Sequence, residues 1–379
     1  MRVYLDNAAT TPMAPEVIAA MVDVYQENFG NASSTHYFGR NSKALLENSR
    51  RSIARWLNCQ SSELIFTSGG TEADNMALYA AVEQLGVKRI ITTHIEHHAV
   101  GHTAESLHAK FGTIITYLSV DAKGNIDVNE LSMLLADNIP TLVSLMHANN
   151  EISTLIPLKE IGLICRKHGA YFHSDTVQTM GHYSFDLNEL DIDFITCAAH
   201  KFHGPKGVGF LYVNKATKVA PFIYGGAQER GLRGGTENIA GIVGLSKAFD
   251  LAYENLAAHQ SHVQGLKSYM IEQLTATIPG ISFHGETSND KSLYTVLNVC
   301  CPPTEKASMV LFTLDLKGIA VSGGSACSSG ASTGSHVLSG IMADMTRPNV
   351  RFSFSHYTTK EEIDYALEQL KVVFDTILV

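Results

Sequence analysis

The amino-acid sequence predicts an α/β protein in which a large domain with a mostly parallel central sheet is joined to a smaller α+β domain. Three observations carry this expectation. Between about residues 60 and 215, short apolar runs alternate with helix-length amphipathic segments, the pattern of successive βαβ units. Beyond about residue 280 the pattern changes to short strand-like runs interleaved with helices. A chain of 379 residues also exceeds the size at which single cores stop growing, so two lobes are the default.

Each element has its own signal. Residues 39–59 place Leu45, Leu46, Ile53, Trp56 and Leu57 at spacings that fit one helical face. Strands are expected at 63–68, 88–93, 112–120, 141–148, 170–175, 193–198 and 208–213, with helices between most of them, such as 71–86 and 157–169. Residues 241–280 are helical in pattern. The tail then offers the strand-like runs YTVLNV, IAVSG and VRFSFS between helices at 305–317 and 361–378.

Bulk properties exclude several functions. The formal net charge is −9 and no basic cluster is longer than Arg50-Arg51, which argues against a nucleic-acid partner. No apolar run approaches the roughly 18 residues of a membrane span, and the first residues lack a signal-peptide pattern, so a cytoplasmic protein without a membrane partner is expected. No two of the six cysteines form a C-x-x-C pair, and in a chain of this size the thiols are expected to be reduced. Five of them fall beside apolar or helical pattern and read as packing residues. The sixth, Cys327, sits in SGGSACSSG (322–330), where nothing apolar could bury it.

In an open parallel sheet, ligands sit outside the carboxyl ends of the strands. Polar residues at strand ends are therefore the candidates. TSGGTEADN (67–75) follows a strand and opens a helix, where Gly69 and Gly70 free the backbone and exposed N–H groups can hold an anion or merely be capped. Asp175 ends the run AYFHSD, and Lys201 follows another strand within CAAHKFHGPKGVG (197–209), beside His200. HIEHH (94–98) is dense in histidine, but it matches neither H-E-x-x-H nor H-x-x-E-H, so histidines that cap and line a cleft are favoured over a metal site. A helix-start phosphate cradle, a strand-end Asp, an aromatic His and a lysine after a neighbouring strand are the parts needed to hold pyridoxal 5'-phosphate, which takes a Lys Schiff base and an acidic partner for its ring nitrogen.

With the further motifs YLDNAATTP (4–12), IEHHAV (95–100), MHANNEI (146–152), HSDTVQ (173–178), GGAQERGLRGGTEN (225–238) and VRFSFS (350–355), the chain resembles the NifS/IscS-type cysteine desulfurases of group I, in the class-V aminotransferase family of fold-type I pyridoxal phosphate enzymes. The resemblance runs nearly end to end. It implies a large cofactor-binding domain at 14–257, and a small domain from 1–13 and 258–379 that carries a catalytic cysteine loop at about 321–335. It implies Lys201 as the Schiff-base lysine, Asp175 as the ring-nitrogen partner, Gln178 as a donor to the ring oxygen, and His97 as a stacking and proton-shuttling residue. Gly70, Thr71 and His200 would hold the phosphate, with Thr236 reaching it from the second subunit of a homodimer. Asn150 and Arg351 would grip the substrate carboxylate, and Asn150 would also adjoin the cofactor. No metal is implied.

The implied reaction converts L-cysteine to L-alanine, with sulfur passing to Cys327 as a persulfide and then to an acceptor protein for iron-sulfur cluster or thio-cofactor synthesis. A Gly/Ser tether suits a thiol that must visit two places. Two departures from the family pattern stand out in the site. Ala198 replaces a phosphate-binding Ser, and Thr176 replaces a common Ala. Other functions stay open: a selenocysteine lyase or aminotransferase on the same fold, a non-enzymatic sulfur carrier, and a metal hydrolase built on HIEHH.

Overall fold

The computed structural model describes residues 1–304, 307–324 and 334–377; Cys327 lies outside them. Seven strands form the main sheet: β2 (Leu64–Thr67), β3 (Arg89–Thr92), β4 (Ile114–Tyr117), β5 (Thr141–Ser144), β6 (Tyr171–Asp175), β7 (Phe194–Ala198) and β8 (Gly209–Val213). Their spatial order is β2-β8-β7-β6-β5-β3-β4. Every pairing is parallel except those of β8, which runs antiparallel to both its neighbours. Strands covered on both faces read as short, mostly apolar runs, which makes six of the seven visible in the sequence, while β4 is a partly exposed edge strand.

Helices cover both faces of this sheet. On one side pack α1 (Pro15–Glu27), α2 (Tyr37–Trp56), α5 (Val128–Leu135), α6 (Leu158–His168) and α7 (Ile239–Glu254), around a core that includes Val17, Ile53, Leu131, Ile161 and Phe249. On the other lie α3 (Gly70–Glu83) and α4 (His98–Phe111), through Met76, Leu78, Val100 and Leu107. The segment 241–280 forms two helices rather than one. Asn255 ends α7 with φ −112° and ψ 11°, its side-chain amide donates to the Leu251 carbonyl at 2.9 Å, and α8 (Leu256–Thr277) starts afresh.

A separate core holds the rest of the chain. The antiparallel strands β9 (Ser282–His284), β10 (Val296–Cys300) and β12 (Asn349–Ser353) form a three-stranded sheet, and β1 (Val3–Tyr4) pairs with β11 (Ile319–Ala320). These strands pack with α8, α9 (Val310–Leu316) and α11 (Lys360–Ile377), while the short α10 (His336–Gly340) packs through Val337 and Leu338 on Ile95 and Ile152. Val3 and Leu5 belong to this second core although they open the chain. Residues 6–12 then cross to the main sheet, where the Thr11 N–H donates to the His200 carbonyl at 2.9 Å. The N-terminal segment thus stitches the two cores together over the carboxyl ends of the main strands.

A buried ion pair beside β2 fixes the loop that contains GGAQERGLRGGTEN. Arg50 of α2 forms a two-bond fork with Glu229 at 2.7 and 2.8 Å, and Glu229 also accepts from the Phe66 N–H at 2.8 Å. Arg50 is 1% exposed and Glu229 6%. Glu229 and Arg230 hold φ values of 47° and 58°, so the loop is locally strained and the buried pair holds it in place.

Candidate active site

A cavity of about 220 Å3 opens at the carboxyl ends of the parallel strands. Its lining includes Ala8, Ala9, Gly70, Thr71, Asp74, His97, Met146, Asn150, Asp175, Val177, Gln178, Ala198, His200, Lys201 and Arg351. Nine of the eleven residues expected from the sequence and the resemblance therefore meet here. Thr236 does not: it is exposed and lines a separate depression with Ser68, Gly207 and Arg233. Cys327 is outside the described residues.

Local chemistry explains each placement. Gly70 opens α3, and a Cβ built there would lie 2.5 Å from Val177 Cγ2, so only glycine lets helix and strand loop approach this closely. Asp175 is the last residue of β6, 5% exposed, and accepts the Val177 N–H at 2.8 Å. Lys201 ends a short helical turn after β7, and its ammonium donates to the carbonyls of Ala8 at 2.6 Å and Ala9 at 3.0 Å. The Ala8 carbonyl also accepts from the Gln178 side-chain amide at 3.1 Å. His97 caps α4 by accepting the Ala99 N–H at 3.2 Å, which leaves its other ring nitrogen for the cavity.

Arg351, 1% exposed on β12, reaches in from the second core. Its guanidinium donates to the Asn150 carbonyl and to Asp6, both at 2.9 Å, while its Nε meets no acceptor. Asn150 is presented by its neighbour Asn149, whose side-chain oxygen takes the N–H groups of Glu151 at 2.8 Å and Ile152 at 3.1 Å. His200 bonds Thr10 at 3.2 Å. Thr176, one of the two departures, donates its buried hydroxyl to the Thr196 carbonyl at 2.7 Å. The other, Ala198, lines the cavity with no hydroxyl to offer.

The floor of the cavity holds buried carboxyl groups. Burial pushes Glu96 up to about 8, although both its oxygens accept the Met146 N–H at 3.0 Å. Asp74 is pushed well up, first by burial and then by Asp175 and Glu96. Burial holds His97 below the ordinary imidazole range against the pull of Asp175, and brings His200 down to about 4. Burial thus favours the neutral form of both imidazoles.

Asp74, Glu96, Asp6 and the Ala8–Ala9 carbonyls were not singled out in the sequence. Asp74 could have been, because it lies four residues after Gly70 and so on the same face of α3. HIEHH does not assemble as a set: His94 precedes α4 and stacks on Tyr117 at 3.7 Å between ring centres, whereas His98 stacks on His102 at 4.7 Å. Among the described residues, the group close enough to share an ion is Asp74, His97 and Asp175, whose ligand atoms lie within 4.8 Å of one another.

The donor set fits pyridoxal phosphate. A helix N-terminus offers N–H groups beside a glycine cradle, a buried carboxylate faces the cavity, and a lysine reaches it from the next strand.

The chain is similar to known proteins over nearly its whole length. The family model described as aminotransferase class-V matches residues 3–366. The chain is 43% identical over 377 residues to a cysteine desulfurase IscS of Dictyoglomus turgidum, covering 98% of this chain and 94% of that protein. It is 40% identical to a putative cysteine desulfurase IscS 1 of Bacillus subtilis, covering 97% of each. Among solved structures, a NifS-like protein superposes with a TM-score of 0.91 at 36% identity, covering 99% of this chain and 100% of that one. A NifS-like protein from Rickettsia africae gives 0.88 at 30% identity, with the same coverage. With the match running almost the length of both lobes and over every strand end that builds the cavity, the chain belongs to the aminotransferase class-V family.

Proposed function

We propose that this protein is a pyridoxal phosphate-dependent cysteine desulfurase. It converts L-cysteine to L-alanine and places the sulfur on Cys327 as a persulfide for an acceptor protein. The meeting of Lys201, Asp175 and His97 in one buried cavity, with the start of α3 at its edge, is the observation that carries this reading. The similarity to proteins named cysteine desulfurase supports the choice of substrate.

The roles proposed are those the family resemblance implies, supported for the cavity residues by their position. Gly70, Thr71 and His200, with the partner subunit's Thr236, hold the phosphate in a homodimer. Asp175 holds the proton of the ring nitrogen, Gln178 donates to the ring oxygen, and His97 stacks on the ring. When bound, the cofactor supplies an electron sink for charge at the substrate α-carbon. Lys201 takes and returns the proton at that carbon. Arg351, with Nε still to be satisfied, and Asn150 orient the substrate carboxylate. The Cys327 thiolate attacks the substrate sulfur; an S–S bond forms, the C–S bond breaks with its electron pair passing to carbon, and protonation there leaves alanine.

The proposal also assigns 14–257 to a cofactor-binding domain and 1–13 with 258–379 to a domain carrying the cysteine loop, in keeping with the two separate cores. Among the described residues, no helix is long and apolar enough to cross a membrane, and we assign the enzyme to the cytoplasm. The test is reduction with borohydride after adding pyridoxal phosphate, followed by peptide mapping. Label on Lys201, with alanine formed from L-cysteine by the unreduced enzyme, is expected; label elsewhere or amino-group transfer to a keto acid without alanine overturns the reading.

A further inference from the structure

A ring of contacts joins the substrate-facing residues to the two chain segments that border Cys327. Glu151, which follows Asn150, is fully buried, and its Oε2 accepts the Ser335 hydroxyl at 2.5 Å. The same Ser335 oxygen caps α10 by accepting the Leu338 N–H at 3.0 Å, so its hydrogen goes to the carboxyl while a lone pair holds the helix start. Gly324 lies against the same place. A Cβ built on it would be 3.1 Å from Glu151 Oε2 and 3.2 Å from Ser335 Cβ, and its φ of 146° is one that side chains rarely adopt. Gly324 precedes Cys327 in the chain and Ser335 follows it, so one carboxyl oxygen meets both shoulders of the cysteine segment.

The ring closes through β12. The Arg351 N–H donates to the Ser322 carbonyl at 2.6 Å, and the Ser322 N–H returns to the Arg351 carbonyl at 3.3 Å. The Asn349 side-chain amide donates to the Gly323 carbonyl at 2.7 Å, and the Arg351 guanidinium reaches the Asn150 carbonyl at 2.9 Å. Residues 322–324 are thereby fixed to the strand that carries Arg351, and Ser335 to the turn that presents Asn150. That turn does not need the Glu151 carboxyl. Asn149 holds it through the backbone N–H groups of Glu151 and Ile152, which any residue but proline supplies. A carboxyl is costly to bury unless it is hydrogen-bonded, and the bond to Ser335 ties this one to the shoulders rather than to the turn.

We propose that Glu151 is a positioning residue for the sulfur step: through Ser335 and against Gly324 it holds both shoulders of the Cys327 segment on the turn that presents Asn150. The attacking thiol and the substrate carboxylate are then set from one support. This rests on the desulfurase reading above and leaves its chemistry unchanged. The S–S bond forms between Cys327 and the substrate sulfur, the C–S bond breaks with its electron pair passing to carbon, and Glu151 gains or loses no proton.

The test separates the sulfur step from substrate binding. Wild type, Glu151→Ala, Glu151→Gln, Ser335→Ala and Ser335→Thr, each loaded with pyridoxal phosphate, are mixed with L-cysteine and quenched over time, and added sulfur on the Cys327 peptide is followed by mass spectrometry. Both alanine variants are expected to form the persulfide about tenfold or more slowly, with half-saturation by L-cysteine moved by less than about twofold, because a displaced nucleophile slows the step without altering the substrate contacts. Glu151→Gln keeps the acceptor and Ser335→Thr keeps the hydroxyl, so both are expected to match wild type. Wild-type rates in the alanine variants, or a rise in half-saturation as large as the fall in rate, overturns the inference. So does a Glu151→Gln as slow as Glu151→Ala, which assigns the effect to charge. If Glu151→Ala does not fold, the Ser335→Ala and Ser335→Thr pair decides by the same outcomes. Absence of persulfide on Cys327 in wild type would instead overturn the desulfurase reading itself.

Discussion

The Lys201 ammonium donates to the Ala8 carbonyl oxygen at 2.6 Å, so the residue proposed to do the proton transfer is held by the segment that joins the two cores. A cationic donor to a carbonyl contributes about 1.5 to 3 kcal/mol. Lys201→Ala should lower the stability of the cofactor-free protein by an amount in that range, measured by denaturant unfolding, and should abolish both cofactor trapping and alanine formation.

Gly70 should tolerate no side chain. A methyl group there meets Val177, a β-branched residue with little rotamer freedom, at 2.5 Å. Gly70→Ala is expected to cost about 1 to 3 kcal/mol of cofactor affinity through overpacking, and Val177→Ala in the same chain should recover part of it. Equilibrium titration with pyridoxal phosphate reads both values.

Arg351 presents a planar fork to Asp6 and Asn150 with Nε to spare. A lysine keeps the charge and loses the fork, so Arg351→Lys should raise KM for L-cysteine by about tenfold or more while moving kcat less. Steady-state kinetics would count against the assignment if KM stayed at the wild-type value.

The Arg50–Glu229 pair should matter to stability rather than chemistry. Removing one partner of a buried pair leaves an uncompensated charge and typically costs about 3 to 5 kcal/mol. Glu229→Ala is expected to fall in that range by chemical denaturation, with the Arg50→Met/Glu229→Leu double variant less destabilised than the single one.

Lys267 gives the fold a pH dependence. It is fully buried on α8, donates to the Ser292 hydroxyl at 2.8 Å and the Leu293 carbonyl at 2.9 Å, and burial brings it down to about 7 from its ordinary 10.5. Between those values the unfolded chain binds the proton that the folded chain has lost, so stability rises with pH by up to about 1.4 kcal/mol per unit. The gain shrinks as pH falls from 10.5 and is gone once pH reaches about 7. Relative to Lys267→Met, wild type should therefore become progressively more stable from about pH 7 to 10, and a flat difference in unfolding free energy would contradict the depressed value.

Much of this was legible in the sequence because buried parallel strands and strand-end motifs are local signals. The expected strand at 141–148 keeps its backbone bonds to β6 as far as His147, through the Leu145 and His147 N–H groups at 3.1 and 2.9 Å, but on its other side the Met146 N–H turns to the Glu96 carboxyl, a partner 50 residues away that no local pattern announces. Asp6 and Arg351 are likewise 345 positions apart, and only the fold makes them a pair. Asp74 was hidden differently. It reads as an ordinary helical acid until His173 and Asp175 are seen to enclose it. Thr176 and Ala198 were marked as departures, and the structure gives the first a buried hydrogen bond that an alanine would not make.

The central claim is tested most directly by mass spectrometry of the peptide containing Cys327 after the cofactor-loaded enzyme is mixed with L-cysteine. One added sulfur atom on Cys327, formed together with alanine, is the predicted result, with Cys327→Ser retaining the bound cofactor but releasing no sulfide in the presence of a thiol reductant. Sulfide release by Cys327→Ser at the wild-type rate would contradict it.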